Sequence, residues 1–161
     1  MTDLAQRTGA VNLGQGFPDE DGPEAILDAA VDALRSGHNQ YAPLPGVPEL
    51  RQAVADHQLR HYGLELDPAS EVQVTFGATE ALAAALLALV RPGDEVLMLD
   101  PSYDSYGAIV DLAGGQARPI ELAPPDWRVP PVAPGGSARV LLLNSPHNPT
   151  GRVLDGDELE R

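Results

Sequence analysis

"EVLMLDPSYDSYGAIVDLAGGQARPIEL", Glu95 to Leu122, is the stretch that decides the fold. EVLMLD (95–100) is a nearly continuous apolar run of strand length, and QARPIEL (116–122) is a second candidate strand. Between them, YDSYGAIVDLAGG has helical spacing and closes on a glycine pair. Two strands joined by a helix predict parallel pairing, because parallel neighbours need a crossover connection.

The pattern extends in both directions. Upstream, EVQVTF (71–76) is a short β-rich run, and GATEALAAALLALV is a helix rich in Ala and Leu, closed by RPGD. Downstream, a proline-rich loop (123–136) leads to ARVLLLN (138–144), a third apolar strand. This alternation predicts an α/β fold: a largely parallel sheet with helices on both faces. Two further helices are expected earlier in the chain. PEAILDAAVDALRSG places Leu27, Val31 and Leu34 on one face, with Pro23 at the first helical position and Gly37 at the end. Residues 47–62 form the other, with a stripe of Leu50, Ala53, Val54 and His57, and Gly63 terminates it. Residues 1–22, interrupted by Gly14, Gly16, Pro18 and Gly22, read as an irregular arm, and 23–161 as part of one larger domain. LDGDELER begins as a capped helix and stops, which is expected of a truncated chain.

Composition excludes several functions. Ten arginines and no lysine face 24 acidic residues, for a net charge of −14, so nucleic acid and anionic membranes are disfavoured as partners. Without cysteine there is no disulfide, thiolate catalysis or cysteine-based zinc site. The longest apolar run, Ala81–Val90, falls well short of the roughly 20 residues of a bilayer span, and the N-terminus does not resemble a signal peptide. A cytoplasmic protein is expected. His57 and His61 sit at i and i+4, but Gln58 occupies the position where a metalloprotease helix carries glutamate, so no metal is expected.

Ligands of such sheets sit beyond the carboxyl ends of the strands, and three places qualify. FGATEAL (76–82) opens a helix with small residues: Gly77 and Ala78 allow close approach of a phosphate to backbone N–H groups, and Thr79 can cap. An ordinary helix cap would look the same. In DPSYDSY (100–106), Tyr103 can stack on a planar heterocycle or simply pack. In LLLNSPHNPTGR (141–152), prolines stiffen the loop and Asn148 offers an amide to an oxyanion, although Asn-Pro and Thr-Gly also make plain turns. Taken at three adjacent strand ends, they supply a phosphate cradle, a stacking ring and an amide donor. Pyridoxal 5′-phosphate has the matching phosphate, aromatic ring and ring oxygen.

Five blocks, in order, carry a further signal: VNLGQGFPDEDGP, NQYAPLPGVPELRQAV, VTFGATEAL, GDEVLMLDPSYDSY and LNSPHNPTG. Together they resemble class I/II aminotransferases of the fold-type I pyridoxal-phosphate group, nearest the kynurenine, glutamine, methionine and N-succinyl-diaminopimelate branch. The resemblance covers nearly the whole chain. It implies transfer of an amino group from an amino acid to a 2-oxo acid in a homodimer. It places Gly16 at the substrate carboxylate, Tyr41 at the cofactor phosphate of the neighbouring subunit, and Gly77, Ala78 and Thr79 at the phosphate cradle. Tyr103 matches the ring stacked on the pyridine, and Asn148 the donor to the phenolic oxygen. The family's Schiff-base lysine, its pyridine-facing aspartate and its substrate arginine have no match here. No catalytic residue is therefore assigned, and these 161 residues alone are expected to be inactive and to hold the cofactor weakly. The alternatives are a pyridoxal-phosphate β-lyase acting on cysteine conjugates, and a non-catalytic phosphate-binding α/β module.

Overall fold

Segments with helical spacing become helices here, with glycine or proline mostly at their ends, and apolar runs become strands only where a neighbour completes their ladder. The computed structural model describes residues 1–14, 16, 18, 20–131 and 138–160. They fall into two compact units, Met1–Leu44 and Pro45–Arg161.

The first unit holds α1 (Thr2–Thr8) and α2 (Glu24–Arg35). Helix α1 corrects the expectation of an irregular arm: the breakers begin only at Gly9, which caps α1 in the left-handed region, and TDLAQRT contains none. Gln15 of the GQG stretch, with residues 17 and 19, lies outside the described residues. In α2, Pro23 occupies the N-cap rather than the first helical position. The expected apolar face, Leu27, Val31 and Leu34, is exposed in this structure.

The second unit contains α3 (Pro48–Tyr62), α4 (Gly77–Leu89), β1 (Glu95–Asp100), α5 (Ser105–Leu112), β2 (Gln116–Glu121), β3 (Ala138–Leu142) and α6 (Gly156–Leu159). The three strands form one sheet in the order β2-β1-β3. Both pairings are parallel: Glu95 lies opposite Gln116 in β2 and opposite Ala138 in β3. Pro119 is tolerated because β2 is an edge strand, where a missing N–H breaks no second ladder.

Side chains alternate across β1 and give the sheet two cores. On one face, Val96 packs with Leu86 and Val90 from the end of α4 and with Ile109 and Val110 of α5. On the other, Leu99 packs with Ile120, Leu122, Val129 and Leu154, and Leu97 and Trp127 border the cluster. The proline-rich loop therefore contributes a buried residue, Val129; its residues 132–136 lie outside the described residues.

Two expectations fail in this unit. Residues 71–76 are not a strand and do not join the sheet. Strand pairing needs a laddered neighbour, and among the described residues the segment has none. Instead the Val74 N–H donates to the Pro45 carbonyl (3.0 Å) and Arg51 Nε donates to the Val72 carbonyl (2.9 Å). Helix α3 also departs from its expected stripe. Its covered face runs through Arg51, Val54, Ala55 and Gln58, while Leu50, Ala53 and His57 of the expected stripe are exposed.

Candidate functional site

Pro101 cannot donate to a ladder, so β1 ends at Asp100 and the chain turns into α5. Tyr103 stands in that turn. Its carbonyl accepts from the Tyr106 N–H (3.1 Å), and the two rings meet edge-on, 5.6 Å apart at 66°. Edge-on contact is a favoured aromatic geometry. It holds Tyr103 while leaving 40% of the residue exposed. Close by in sequence, Ser105 Oγ is enclosed without a hydrogen-bond partner among the described residues.

The tip of β3 is a tightly bonded loop. The His147 N–H donates to the Arg152 carbonyl and the Gly151 N–H to the His147 carbonyl, both at 2.7 Å. Gly151 adopts φ +75°, a conformation open to glycine at little cost, and this lets the chain reverse after Thr150. Ser145 Oγ accepts from the Leu154 N–H (3.1 Å), and Asn144 Nδ2 donates to the Pro146 carbonyl (3.3 Å). Asn148 lies between these clamps, exposed, and its side chain makes no hydrogen bond to the described residues. Its amide is free for a ligand.

His147 is the residue that the sequence reading missed. It is the most enclosed polar residue described, 2% exposed. Nδ1 lies 2.7 Å from Thr150 Oγ1. Burial lowers the pKa of His147, with the Pro101 backbone opposing it. Its signal in the sequence was faint: one histidine in a loop of turn residues, with nothing local to mark it as buried.

At the start of α4 the expected cap is corrected. Phe76, not Thr79, is the N-cap residue, and no side chain caps the helix. Glu80 instead accepts from the Phe76 N–H, and Thr79 lies within the first turn. The N–H groups of Ala78 and Thr79, in the first turn, find no acceptor among the described residues. Gly77, at φ +80°, has open space where a side chain would stand. The later turns of α4, with Leu82, Ala83 and Leu86, pack with Val96 of β1 and with Ile109 and Val110 of α5.

The structure therefore brings the tips of β1 and β3, with Tyr103 and Asn148, onto neighbouring strands. Helix α4 follows residues 71–76, which are outside this sheet, and this corrects the picture of three adjacent strand ends. Gly16 and Tyr41 belong to the first unit. Among the described residues no three potential ligands cluster to hold a metal, and no helix is long and apolar enough to cross a membrane.

Comparison with known proteins gives a consistent picture. The sequence model of the family "Aminotransferase class I and II" matches residues 8–161. A probable N-succinyldiaminopimelate aminotransferase from Mycobacterium tuberculosis is 52% identical over 99% of this chain and 42% of its own length. A methionine aminotransferase from Escherichia coli is 46% identical over 95% of this chain and 41% of its own. The solved structure of the N-succinyldiaminopimelate aminotransferase from M. tuberculosis superposes with a TM-score of 0.91, covering 99% of this chain and 43% of that one. The chain thus spans less than half the length of these relatives.

Proposed function

The chain belongs to the class I and II aminotransferases, and from that membership we propose that the protein carrying it moves an amino group from an amino acid to a 2-oxo acid. The observation that supports the proposal is the set of groups the second unit offers: free N–H groups opening α4, a braced and partly open ring at Tyr103, and an unused amide at Asn148.

These donors fit pyridoxal 5′-phosphate. The Ala78 and Thr79 N–H groups, at the positive end of a 13-residue helix, hold a phosphate dianion, and Gly77 leaves room for its approach. Tyr103 stacks on the pyridine ring, and Asn148 Nδ2 donates to the ring oxygen. When bound, the cofactor supplies the electron sink that lets the substrate's α-proton leave and its nitrogen be exchanged. The residues of this chain anchor, orient and polarise. Gly16 is assigned to the substrate carboxylate, and Tyr41 to the cofactor phosphate of a second subunit in a homodimer. We assign residues 1–22 to an arm and 23–161 to part of the large domain. The chain has no lysine, so the covalent partner of the cofactor comes from outside these 161 residues. A cytoplasmic location accords with this chemistry.

The test uses the whole protein loaded with pyridoxal phosphate. Borohydride reduction and mass mapping should fix the cofactor to one lysine. N-succinyldiaminopimelate and methionine, the substrates named for the two relatives, are the first donors to assay against 2-oxo acids. Release of pyruvate and ammonia from cysteine conjugates without amino transfer would replace the transferase with a lyase, and no cofactor uptake would refute both.

A further inference from the structure

We propose that His57 and His61 form a two-histidine binding site for a borderline-soft divalent metal ion, of the zinc, nickel and copper class, on the exposed face of α3. The site stands apart from the pyridoxal-phosphate reading above. Residues four apart are neighbours on a helix surface, and these two rings lie 4.5 Å apart between centres, tilted at 41°. Two imidazoles in adjacent positions on one ion, each with a metal–nitrogen bond of about 2.1 Å, put their ring centres about 4.5–5 Å apart. The pair already has the spacing that such an ion requires. Both residues are exposed. Among the described residues their rings meet each other and Tyr62, and neither is taken by a hydrogen bond or an ion pair.

The helix fixes the pair. The Gly63 N–H donates to the Leu59 carbonyl (3.1 Å) and the Leu64 N–H to the Gln58 carbonyl (3.3 Å), so the backbone between the two histidines is tied down by the cap. On the covered side, Ala55 is buried and Arg51 holds the Val72 carbonyl. Electrostatics favour a cation: the histidines occupy the last two turns, at the negative end of α3, in a chain of net charge −14. Arg60, in the same last turn, works against it. Asp56 Oδ1 is engaged by Gln52 Nε2 (2.8 Å), so the two imidazoles are the protein ligands and water fills the other positions. Imidazole selects zinc, nickel or copper, whereas magnesium and calcium prefer oxygen. A metalloprotease helix needs a glutamate beside its histidines; a binding site without hydrolytic chemistry does not. Bound there, the ion links the last two turns of α3.

The experiment uses the whole protein, loaded with pyridoxal phosphate, freed of unbound cofactor and metal, and titrated calorimetrically with Zn²⁺ or Ni²⁺. One binding site should weaken at least about tenfold in His57→Asn and equally in His61→Asn, because a single imidazole loses the gain from chelation. His38→Asn, which removes another exposed histidine, should leave that site intact. The double variant Leu59→His with His61→Asn keeps two histidines but sets them two residues apart, on different sides of the helix, and should not restore the affinity. All these positions are exposed, so the variants should fold, and circular dichroism checks that they do. Unmutated affinity in either single variant, or in the Leu59→His pair, would show that the ion binds without this geometry and overturns the inference. Absence of any binding by the unmutated protein overturns it as well. Cofactor uptake should be the same in every variant. If the protein takes up no cofactor, the function reading falls, while the metal titration of the unloaded protein still decides this inference.

Discussion

Arg152 Nη2 lies 2.7 Å from Glu158 Oε2, the shortest ion pair among the described residues, with the carboxylate almost wholly enclosed. Glu158 also accepts from the Asp155 N–H (3.1 Å) and, through its other oxygen, from the Val129 N–H (3.0 Å). One carboxylate therefore joins the proline-rich loop, the segment after the Asn148 loop and the start of α6.

This arrangement predicts an acid-sensitive clasp. The Asp155 N–H holds the Glu158 carboxyl down to about 2, with the Val129 N–H and Arg152 adding and burial opposing. A folded-state value below the unfolded one of about 4.3 stabilises above that pH and loses its effect as pH falls toward 2. Thermal unfolding followed by circular dichroism should show stability declining from about pH 5 downward. Glu158→Gln should be less stable at pH 7 and should flatten that decline. An unchanged slope would remove Glu158 from the account.

Two glycines should respond to alanine with opposite signs. A Cβ on Gly115 would come within 2.8 Å of Val90 Cγ1 and 3.2 Å of Val110 Cγ1, inside the core of the first face. Overpacking of this kind costs about 1–3 kcal/mol. Gly107, inside α5, meets nothing within 4 Å, so Gly107→Ala should stabilise by roughly 0.5–1 kcal/mol through helix propensity. Denaturant midpoints measured on both variants check the pair.

Leu99 anchors the opposite face at 2% exposure. Leu99→Ala removes buried apolar volume from the central strand and should cost about 2–5 kcal/mol. The same measurement on Leu112→Ala, an exposed position of α5, should show far less. Equal losses would mean that β1 is not the centre of the packing.

The 161-residue polypeptide, incubated with pyridoxal phosphate and reduced with borohydride, should carry the label at the Met1 amine at most, since it has no lysine side chain. Peptide mapping by mass spectrometry reads this directly. A label on any other residue would contradict the assignment of the covalent partner to a segment beyond these residues.

Much of the fold was legible because its code is local. The limits of β1 matched the expected 95–100, and α3 ended at Gly63, because an apolar run and a left-handed glycine act over a few residues. The failures share one cause. Residues 71–76 have the composition of a strand, yet their bonds go to Pro45 and Arg51. Thr79 looked like a cap, yet Glu80 reaches back to Phe76 and displaces it from that role. Each outcome depended on a competing partner, and the sequence does not rank partners.

The sequence by itself determined the alternation of strands and helices, the parallel character of the sheet, the absence of lysine and the loops that carry Tyr103 and Asn148. These follow from periodicity and residue chemistry along neighbouring positions. Contacts between distant segments set β1 between β2 and β3, left 71–76 outside the sheet, and buried His147 beside Thr150. Burial and hydrogen-bond pairing between residues far apart in the chain are settled by which partner folding delivers, and a buried histidine and a surface histidine are the same letter until then.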